Sequence, residues 1–263
     1  MKEENVARLE EIAKNIRRDI IEEVYSAKSG HPGGALSVAD IVTVLYFNEM
    51  SENDKLILSK GHAVAAVYAA LAEKGLISKE ELLTFRKLGS RLQGHPDMER
   101  LKKIDMSTGS LGQGFSIANG MAIAAKMDNL DTRIYCILGD GEVEEGQVWE
   151  AAMTANKYKL DNICTILDYN DLQIDGTIED VKNLDRLTEK WDAFGFNVIE
   201  INGNDIQSVI DGLNEARNYK EGPSMIIAKT IKGKGVSFME GKAEWHGKAP
   251  SEEEYKKALE ELK

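Results

Sequence analysis

The sequence predicts an α/β protein in which a parallel sheet is flanked by helices. From residue 133 onward, short apolar runs rich in β-branched residues alternate with helical stretches, which indicates βαβ units. The runs are largely apolar, as expected of strands that are buried on both faces. The expected strands are Ile134–Leu138, Ile163–Leu167, Asn197–Ile201 and Met225–Lys229. The helices expected between them are Gln147–Tyr158, Leu184–Phe194 and Ile206–Asn218.

The first half of the chain is expected to be helical. Apolar residues recur at helical spacing from about residue 4 to residue 28, and the segment Gly30-His31-Pro32-Gly33-Gly34 then interrupts the pattern. Ser37 stands where it can cap a helix over Val38–Phe47. Further helices are expected at Ala63–Lys74, after the capping-box pair Ser78 and Glu81, from Gly112 to Met127, and at Ser251–Leu262.

Composition limits the class of protein. The 263 residues fit one large α/β domain or two small ones, and we expect a single domain over residues 1–263. A net charge of −12 argues against general nucleic-acid binding, because binding phosphates requires a positive face. No apolar run approaches a membrane span and the N-terminal segment is charged, so a cytoplasmic protein without membrane contact is expected. Cys136 and Cys164 lie in apolar runs and are expected to be reduced core residues.

The carboxyl ends of two expected strands carry polar residues. Gly139-Asp140-Gly141 follows one strand, and Asn170 follows the next. Ligands of open α/β sheets bind beyond such ends, so Asp140 and Asn170 are expected at one rim. A carboxylate, an amide oxygen and a nearby backbone carbonyl are hard donors that suit Mg²⁺ or Ca²⁺, with a ligand's phosphates completing the coordination shell. On these residues alone, an ordinary turn and an unconnected loop asparagine are the alternative.

The four histidines form a second pattern. His31, His62, His95 and His246 all lie beside glycines in loops, and none lies on a periodic apolar face. Imidazoles in such loops can bind phosphate or sugar hydroxyls and move protons. Neither CxxC nor HExxH occurs, so a zinc site is not expected. Five lysines between residues 229 and 248 form a basic stretch that is either a solvated loop or part of an anion site.

Seven motifs, in order and at suitable spacing, resemble the N-terminal half of transketolase, a family that depends on thiamine diphosphate. They are SGHPGG, SKGH, QGHPD, TGSLGQG, GDGEVEEGQVWE, DYNDLQIDG and KGKGVSFMEGKAEWHG. The resemblance covers nearly the whole chain and implies the thiamine-diphosphate-binding fold, as its pyrophosphate-binding domain. The glycines of GSLGQG do not follow a convincing strand, and IKGKG lacks the P-loop pattern, so nucleotide binding is not favoured.

The resemblance implies how the cofactor is held. Asp140, Asn170 and the backbone carbonyl of Leu172 would bind the metal ion. Gly141, Asn170, His62 and His246 would contact the diphosphate, and Lys232 matches a lysine that reaches the cofactor in some relatives.

Other positions would meet the rest of the cofactor and the substrate. The backbone of Gly109, Ser110 and Leu111 would face the aminopyrimidine ring, with Ile174 packed beside the cofactor. His31, His95 and His246 would surround the ketose hydroxyls. The expected catalytic residues are these three histidines and His62. One of the four would remove the proton whose loss starts carbon–carbon cleavage. Glu145 matches a glutamate at the dimer interface of relatives.

The resemblance also implies a partner chain. The pyrimidine-binding and C-terminal domains of transketolase are absent here, and they supply an essential glutamate and most of the arginines that bind the sugar phosphate. We therefore expect a C-terminal transketolase subunit, with two copies of each chain forming a heterotetramer. The expected reaction moves a two-carbon ketol unit between sugar-phosphate substrates, from a ketose phosphate to an aldose phosphate.

Several alternatives remain at this stage. The chain could serve a deoxyxylulose-phosphate synthase, a 2-oxo-acid dehydrogenase, or a transketolase for an unusual sugar. It could also be a non-catalytic cofactor-binding subunit, or a metal-dependent phosphoesterase that works without thiamine diphosphate. The four histidine motifs favour ketol transfer over the first two.

Overall fold

The computed structural model describes residues 2–174 and 176–263, which fold around a five-stranded parallel sheet. The strands are β1 (Lys55–Leu58), β2 (Ile134–Gly139), β3 (Ile163–Tyr169), β4 (Asn197–Asn202) and β5 (Ser224–Lys229). Their order across the sheet is β1-β2-β3-β5-β4, and each neighbouring pair is parallel. The predicted α/β class and the parallel sheet are therefore confirmed.

The expectation of four strands misses β1. This strand pairs in parallel with β2, from Lys55 opposite Ile134 to Leu58 opposite Ile137. Its four residues are too few for a period to be recognised, and the chain that separates it from β2 is mostly helix and loop. The strand matters for function because it delivers Lys60 and His62 to the same rim as the end of β2.

Eleven helices are found in the described residues. They are α1 (Lys2–Ala27), α2 (Pro32–Ser37), α3 (Ala39–Val44), α4 (Val64–Glu73), α5 (Lys79–Leu82), α6 (Gln113–Met127), α7 (Gly146–Lys157), α8 (Ile178–Val181), α9 (Leu187–Ala193), α10 (Ile206–Asn218) and α11 (Glu252–Glu261). Short 3-10 turns occupy Gly61–Ala63, Gly141–Glu144 and Ala243–His246, and a π-helical turn spans Leu45–Glu49.

The predicted role of Ser37 as a helix cap is wrong. The segment after His31 is already helical from Pro32, where proline suits a first helical turn, and Ser37 ends that short helix. Its hydroxyl donates to Gly34 O at 3.1 Å and to Asp168 Oδ2 at 2.6 Å. The hydroxyl therefore binds a residue at the end of β3 and does not cap a helix. The helix after it begins at Ala39 without a side-chain cap.

The core consists of two layers, one on each face of the sheet. Helices α1, α3, α4 and α10 pack on one face, and α6, α7 and α9 pack on the other. Successive strand residues alternate between the layers, so that Cys136 and Cys164 are buried on opposite faces, as free thiols. Within the described residues, no helix has both the length and the apolar character needed to cross a membrane.

Candidate functional site

A cavity of about 270 Å³ lies at the carboxyl ends of β1, β2 and β3. Most of the residues singled out from the sequence line it: His31, His62, Gly109, Leu111, Asp140, Gly141, Asn170, Leu172, Ile174, Lys232 and His246. Ser110 and His95 do not line it. Both are exposed, and His95 lies against the Gly109 loop, where a Cβ on Gly109 would be 3.4 Å from the His95 ring.

Asp140 and Asn170 meet at this rim because β2 and β3 are neighbours, with Gly139 opposite Asp168. Asp140 Oδ2 accepts hydrogen bonds from the backbone N–H of Asn170 at 2.9 Å and of Asp171 at 2.7 Å. Asp140 Oδ1 accepts from Gly141 N–H at 2.8 Å. The carboxylate therefore ties the end of one strand to the loop after the other.

The donor set at the rim fits a hard cation. Asp140 is only 4% exposed, and no salt bridge to it occurs among the described residues. Burial, with the nearby charge of Asp168, raises the pKa of Asp140 to about 6, which a cation at this place would reverse. Among the described residues, no group of three or more His, Cys, Asp or Glu side chains is arranged to hold a metal ion. A cation here would thus depend on one carboxylate and neutral oxygens, which is a Mg²⁺-type set.

Lys232 binds the backbone carbonyl of Leu172, which is the third expected oxygen donor beside Asp140 and Asn170. Its Nζ donates to the Leu172 carbonyl at 2.7 Å and lies 3.1 Å from His246 Nδ1. The side chain is 2% exposed, and burial lowers the pKa of Lys232 to about 8. Lys229, Lys234 and Lys248, in contrast, pair with glutamates at the surface, so only part of the basic stretch faces the cavity.

A buried ion pair that sequence reasoning missed lies beneath the cavity. Asp168 is fully buried and accepts from Lys60 Nζ at 2.5 Å, from Ser37 and Thr230, and from Asn170 Nδ2 at 3.0 Å. Burial alone would raise the pKa of Asp168, but Lys60, Ser37 and Thr230 lower it. Because Asp168 accepts from the Asn170 amide nitrogen, the Asn170 amide oxygen faces the following loop, where it accepts from the Leu172 N–H at 3.3 Å.

The four histidine rings converge. The centroid of His31 lies 5.3 Å from that of His62, 5.5 Å from that of His246 and 6.5 Å from that of His95. The centroids of His62 and His246 are 5.1 Å apart. Burial lowers the pKa of all four, to about 4 for His31 and His246. The cluster is therefore neutral near pH 7 and can both donate and accept hydrogen bonds.

Glu142 fixes the loop that was predicted to face the aminopyrimidine. Its carboxylate accepts from Gly112 N–H at 2.8 Å, from Gly139 N–H at 3.0 Å and from the Ser59 hydroxyl. The buried side chain thus joins the ends of β1 and β2 to the start of α6. Glu145 and Ile174 are exposed, and Ile174 keeps 69% of its surface at the cavity mouth.

The missed residues left weak signals in the sequence. Lys60 lies in the SKGH motif and Asp168 begins the DYND motif. A charged residue next to an apolar run is normally exposed at the surface, so neither residue was expected to be buried. Only the pairing of β1 with β2 and of β2 with β3 shows that both lie under one cavity.

The cavity also suits an anionic ligand. Lys60 and Lys232 bring two buried cations to it. Glycines leave space along the wall, since a Cβ on Gly34 would lie 3.6 Å from His62 Nε2 and 3.8 Å from Lys60 Nζ. A diphosphate fits this combination of cations, backbone donors and missing side chains.

Comparison with known proteins identifies the family. A family model described as transketolase, thiamine diphosphate binding domain, matches residues 9–262. The chain belongs to the transketolase family. A protein of Phocaeicola vulgatus named as one subunit of an apulose-4-phosphate transketolase is 43% identical, over 98% of this chain and 94% of that protein. A 6-deoxy-6-sulfo-D-fructose transketolase subunit from a Clostridium species is 45% identical, over 97% of this chain and 96% of that protein.

Solved transketolases have the same fold. The transketolase of Campylobacter jejuni matches with a TM-score of 0.90 and 37% identity, over 97% of this chain and 42% of its own. The chain thus corresponds to less than half of a full-length transketolase, and to nearly all of the separate subunits named above. The predicted match to the N-terminal half of transketolase, in its split form, is confirmed.

Proposed function

We propose that the chain holds thiamine diphosphate and a divalent cation at the carboxyl-end rim, and that with a partner subunit it transfers a two-carbon ketol unit between sugar phosphates. The observation that carries this proposal is the meeting of Asp140 and Asn170 at one cavity that three neutral histidines and two buried lysines line. Membership of the thiamine diphosphate binding domain family supports the choice of cofactor.

Each group at the rim has a role in this proposal. Asp140, the amide oxygen of Asn170 and the Leu172 carbonyl bind the cation, with Mg²⁺ preferred and Ca²⁺ as the alternative. Gly141, Asn170, His62 and His246 bind the diphosphate. Lys232, which holds the Leu172 carbonyl here, is then free to bind a diphosphate oxygen. Gly109, Ser110 and Leu111 present backbone to the pyrimidine ring, and Ile174 packs beside the cofactor.

The histidine cluster handles the sugar. When bound, the cofactor supplies the electron sink for cleavage of the carbon–carbon bond. His31, His95 and His246 orient the ketose hydroxyls by hydrogen bonds, and a neutral imidazole of the cluster accepts the hydroxyl proton.

A partner chain completes the enzyme. Two relatives of nearly equal length are themselves named as transketolase subunits, and the chain covers only 42% of a full-length transketolase. Both findings support a second chain that carries the remaining domains. We propose two copies of each chain, with the exposed Glu145 at the interface between them.

The substrate is proposed to be a ketose with an anionic terminal group. The relatives of nearly equal length are named for apulose 4-phosphate and for 6-deoxy-6-sulfo-D-fructose, which favours an unusual-sugar transketolase over a deoxyxylulose-phosphate synthase subunit. A panel of these two sugars and common ketose phosphates, offered to the chain with its partner, tests the choice. Decarboxylation of pyruvate without ketol transfer would support the synthase alternative instead.

The cation and cofactor assignment is tested with Asp140→Ala. We expect the metal-dependent affinity for thiamine diphosphate, measured by calorimetry, to fall more than about 100-fold, because loss of outer-shell partners alone costs 10–100-fold. Asp161→Ala, at the opposite end of the sheet, is the control and should bind normally. Equal affinity of wild type and Asp140→Ala would refute the assignment.

The role of the histidines is tested in the reconstituted enzyme. His95→Ala should lower kcat by about 100-fold or more, since general acid–base groups contribute 10²–10⁴-fold, and should leave cofactor affinity unchanged because His95 does not line the cavity. Phosphate release without thiamine diphosphate would indicate a phosphoesterase.

A further inference from the structure

The guanidinium group of Arg86 contacts the Nδ1 side of the His31 ring. Arg86 Nη2 is 3.2 Å from His31 Nδ1 and donates to the Gly94 carbonyl at 3.3 Å. Arg86 Nη1 donates to the Ser29 hydroxyl at 2.8 Å. Arg86 is half-buried and is separate from the rim residues that would hold the cation and the diphosphate.

The local backbone is built to place this group. Arg86 adopts a left-handed conformation, with φ of 58°, and its N–H donates to the Leu92 carbonyl at 2.9 Å, which closes the loop back on itself. The guanidinium lies over the Phe85 ring, 5.3 Å from its centroid. A Cβ at Gly94 would be 2.9 Å from Arg86 Nε, so the glycine before His95 leaves the space that the guanidinium fills.

The contact between Arg86 and His31 determines which nitrogen of the His31 ring carries the proton. A guanidinium has five N–H donors, has no acceptor and is not deprotonated in proteins. His31 Nδ1 must therefore accept the hydrogen bond and cannot carry a proton. Burial, with Arg86 as the next cause, lowers the pKa of His31 to about 4, so the ring is neutral. The single ring proton then lies on Nε2.

We propose that Arg86 is a positioning residue that holds His31 as its Nε2–H tautomer, so that His31 donates a hydrogen bond to a ketose oxygen and does not accept the substrate's proton. The identity of the ligand as a ketose rests on the proposed function. The tautomer of His31 does not, because it follows from the contact with Arg86. The assignment removes His31 from the candidates for the proton acceptor and leaves the other three histidines of the cluster.

The test is nitrogen-15 NMR of the full chain with labelled histidine. Only four histidines contribute signals, and His31→Gln identifies the signals of His31. In wild type we expect a pyridine-type Nδ1 and a pyrrole-type Nε2 at pH 7.5. A pyrrole-type Nδ1 on His31 overturns the proposal.

Variants of Arg86 separate its influence from the intrinsic preference of imidazole. Arg86→Glu puts an acceptor where the donor was and should move a proton onto His31 Nδ1, whereas Arg86→Lys keeps a donor and should preserve the wild-type pattern. Arg91→Glu makes the same charge change in the same loop, on an exposed residue that pairs with Glu81, and should leave His31 unchanged. An unprotonated Nδ1 in Arg86→Glu overturns the proposal.

A further variant covers the possibility that Arg86→Glu does not fold. Arg86→Met only removes the donor, and we expect a detectable population of the Nδ1–H tautomer in place of the single wild-type form. An unchanged spectrum would show that Arg86 does not determine the tautomer. Because the measurement needs neither cofactor nor turnover, failure here is distinct from failure of the ketol-transfer proposal, which the binding and activity assays test.

Discussion

Two regions of the molecule bury a carboxyl group completely, with opposite results. At the carboxyl-end rim, Asp168 is surrounded by Lys60, Ser37, Thr230 and Asn170, all of which donate to it. In the layer of helices α1 and α4, Glu23 is also fully buried, but within the described residues neither of its carboxyl oxygens has a hydrogen-bond partner.

The difference lies in the charge state that each environment enforces. Burial acts to raise the pKa of both groups, but at Asp168 the ammonium of Lys60 and the hydroxyls of Ser37 and Thr230 outweigh it, and the pKa falls. At Glu23, burial acts with the neighbouring Asp19 and raises the pKa well above the ordinary value. The rim therefore holds a fixed charge pattern suited to a ligand, whereas the helical layer holds a neutral acid.

Removal of Asp168 should have the largest effect. Asp168→Ala leaves Lys60 buried without its counter-ion, and we expect a loss of about 3–5 kcal/mol in the free energy of unfolding, measured in urea. Asp161→Ala removes a partly exposed pair with Lys126 and should cost no more than about 1 kcal/mol. Similar losses in the two variants would mean that the rim pair is not special.

Replacement of Glu23 should stabilise the protein in a pH-dependent way. Above the ordinary pKa of 4.5 the unfolded chain releases the Glu23 proton while the folded chain retains it, so stability falls as the pH rises. Glu23→Met removes this penalty, and the gain should be small at pH 4.5 and about 1–3 kcal/mol at pH 8. The exposed Glu10 of the same helix provides the control, Glu10→Met. A gain that does not depend on pH would contradict a neutral Glu23.

The smallest effect is expected at Gly120, where α6 has left the rim. No atom lies within 4 Å of a Cβ built on this exposed glycine, so Gly120→Ala should stabilise the helix by about 0.5–1 kcal/mol, read from thermal unfolding. Gly114, in the first turn of the same helix, packs on Ser59, and a Cβ would lie 2.5 Å from the Ser59 hydroxyl oxygen. Gly114→Ala should therefore destabilise, and a gain there would show that the rim is loosely packed.

Much of the fold was predictable because its signals are local. The apolar runs of β2 to β5, the period of α1 and the helical stretches expected at α6 and α10 lie within a few residues of the observed elements. Asp140 and Asn170 were predictable as neighbours because parallel strands that follow each other along the chain often pair. Strand β1 was not, because four residues carry no clear period.

The parts of the site that sequence analysis missed depend on long-range contacts. The proximity of Lys60 to Asp168 requires β1 to pair with β2, which no local pattern specifies. Ser37 looked like a cap because its hydroxyl could bond locally, but the buried Asp168 takes that hydroxyl. Arg86 carried no signal at all, since its contact with His31 depends on a left-handed loop residue.

The rings of His31 and His246 lie 5.5 Å apart although they come from opposite ends of the sequence. A molecule bound by both would act as a non-covalent cross-link that closes most of the polypeptide into one loop. Its binding energy would then oppose unfolding of the entire chain, not of one segment. At a concentration 100 times its dissociation constant, such a ligand adds about 2.7 kcal/mol, so the melting temperature itself becomes a sensor of occupancy.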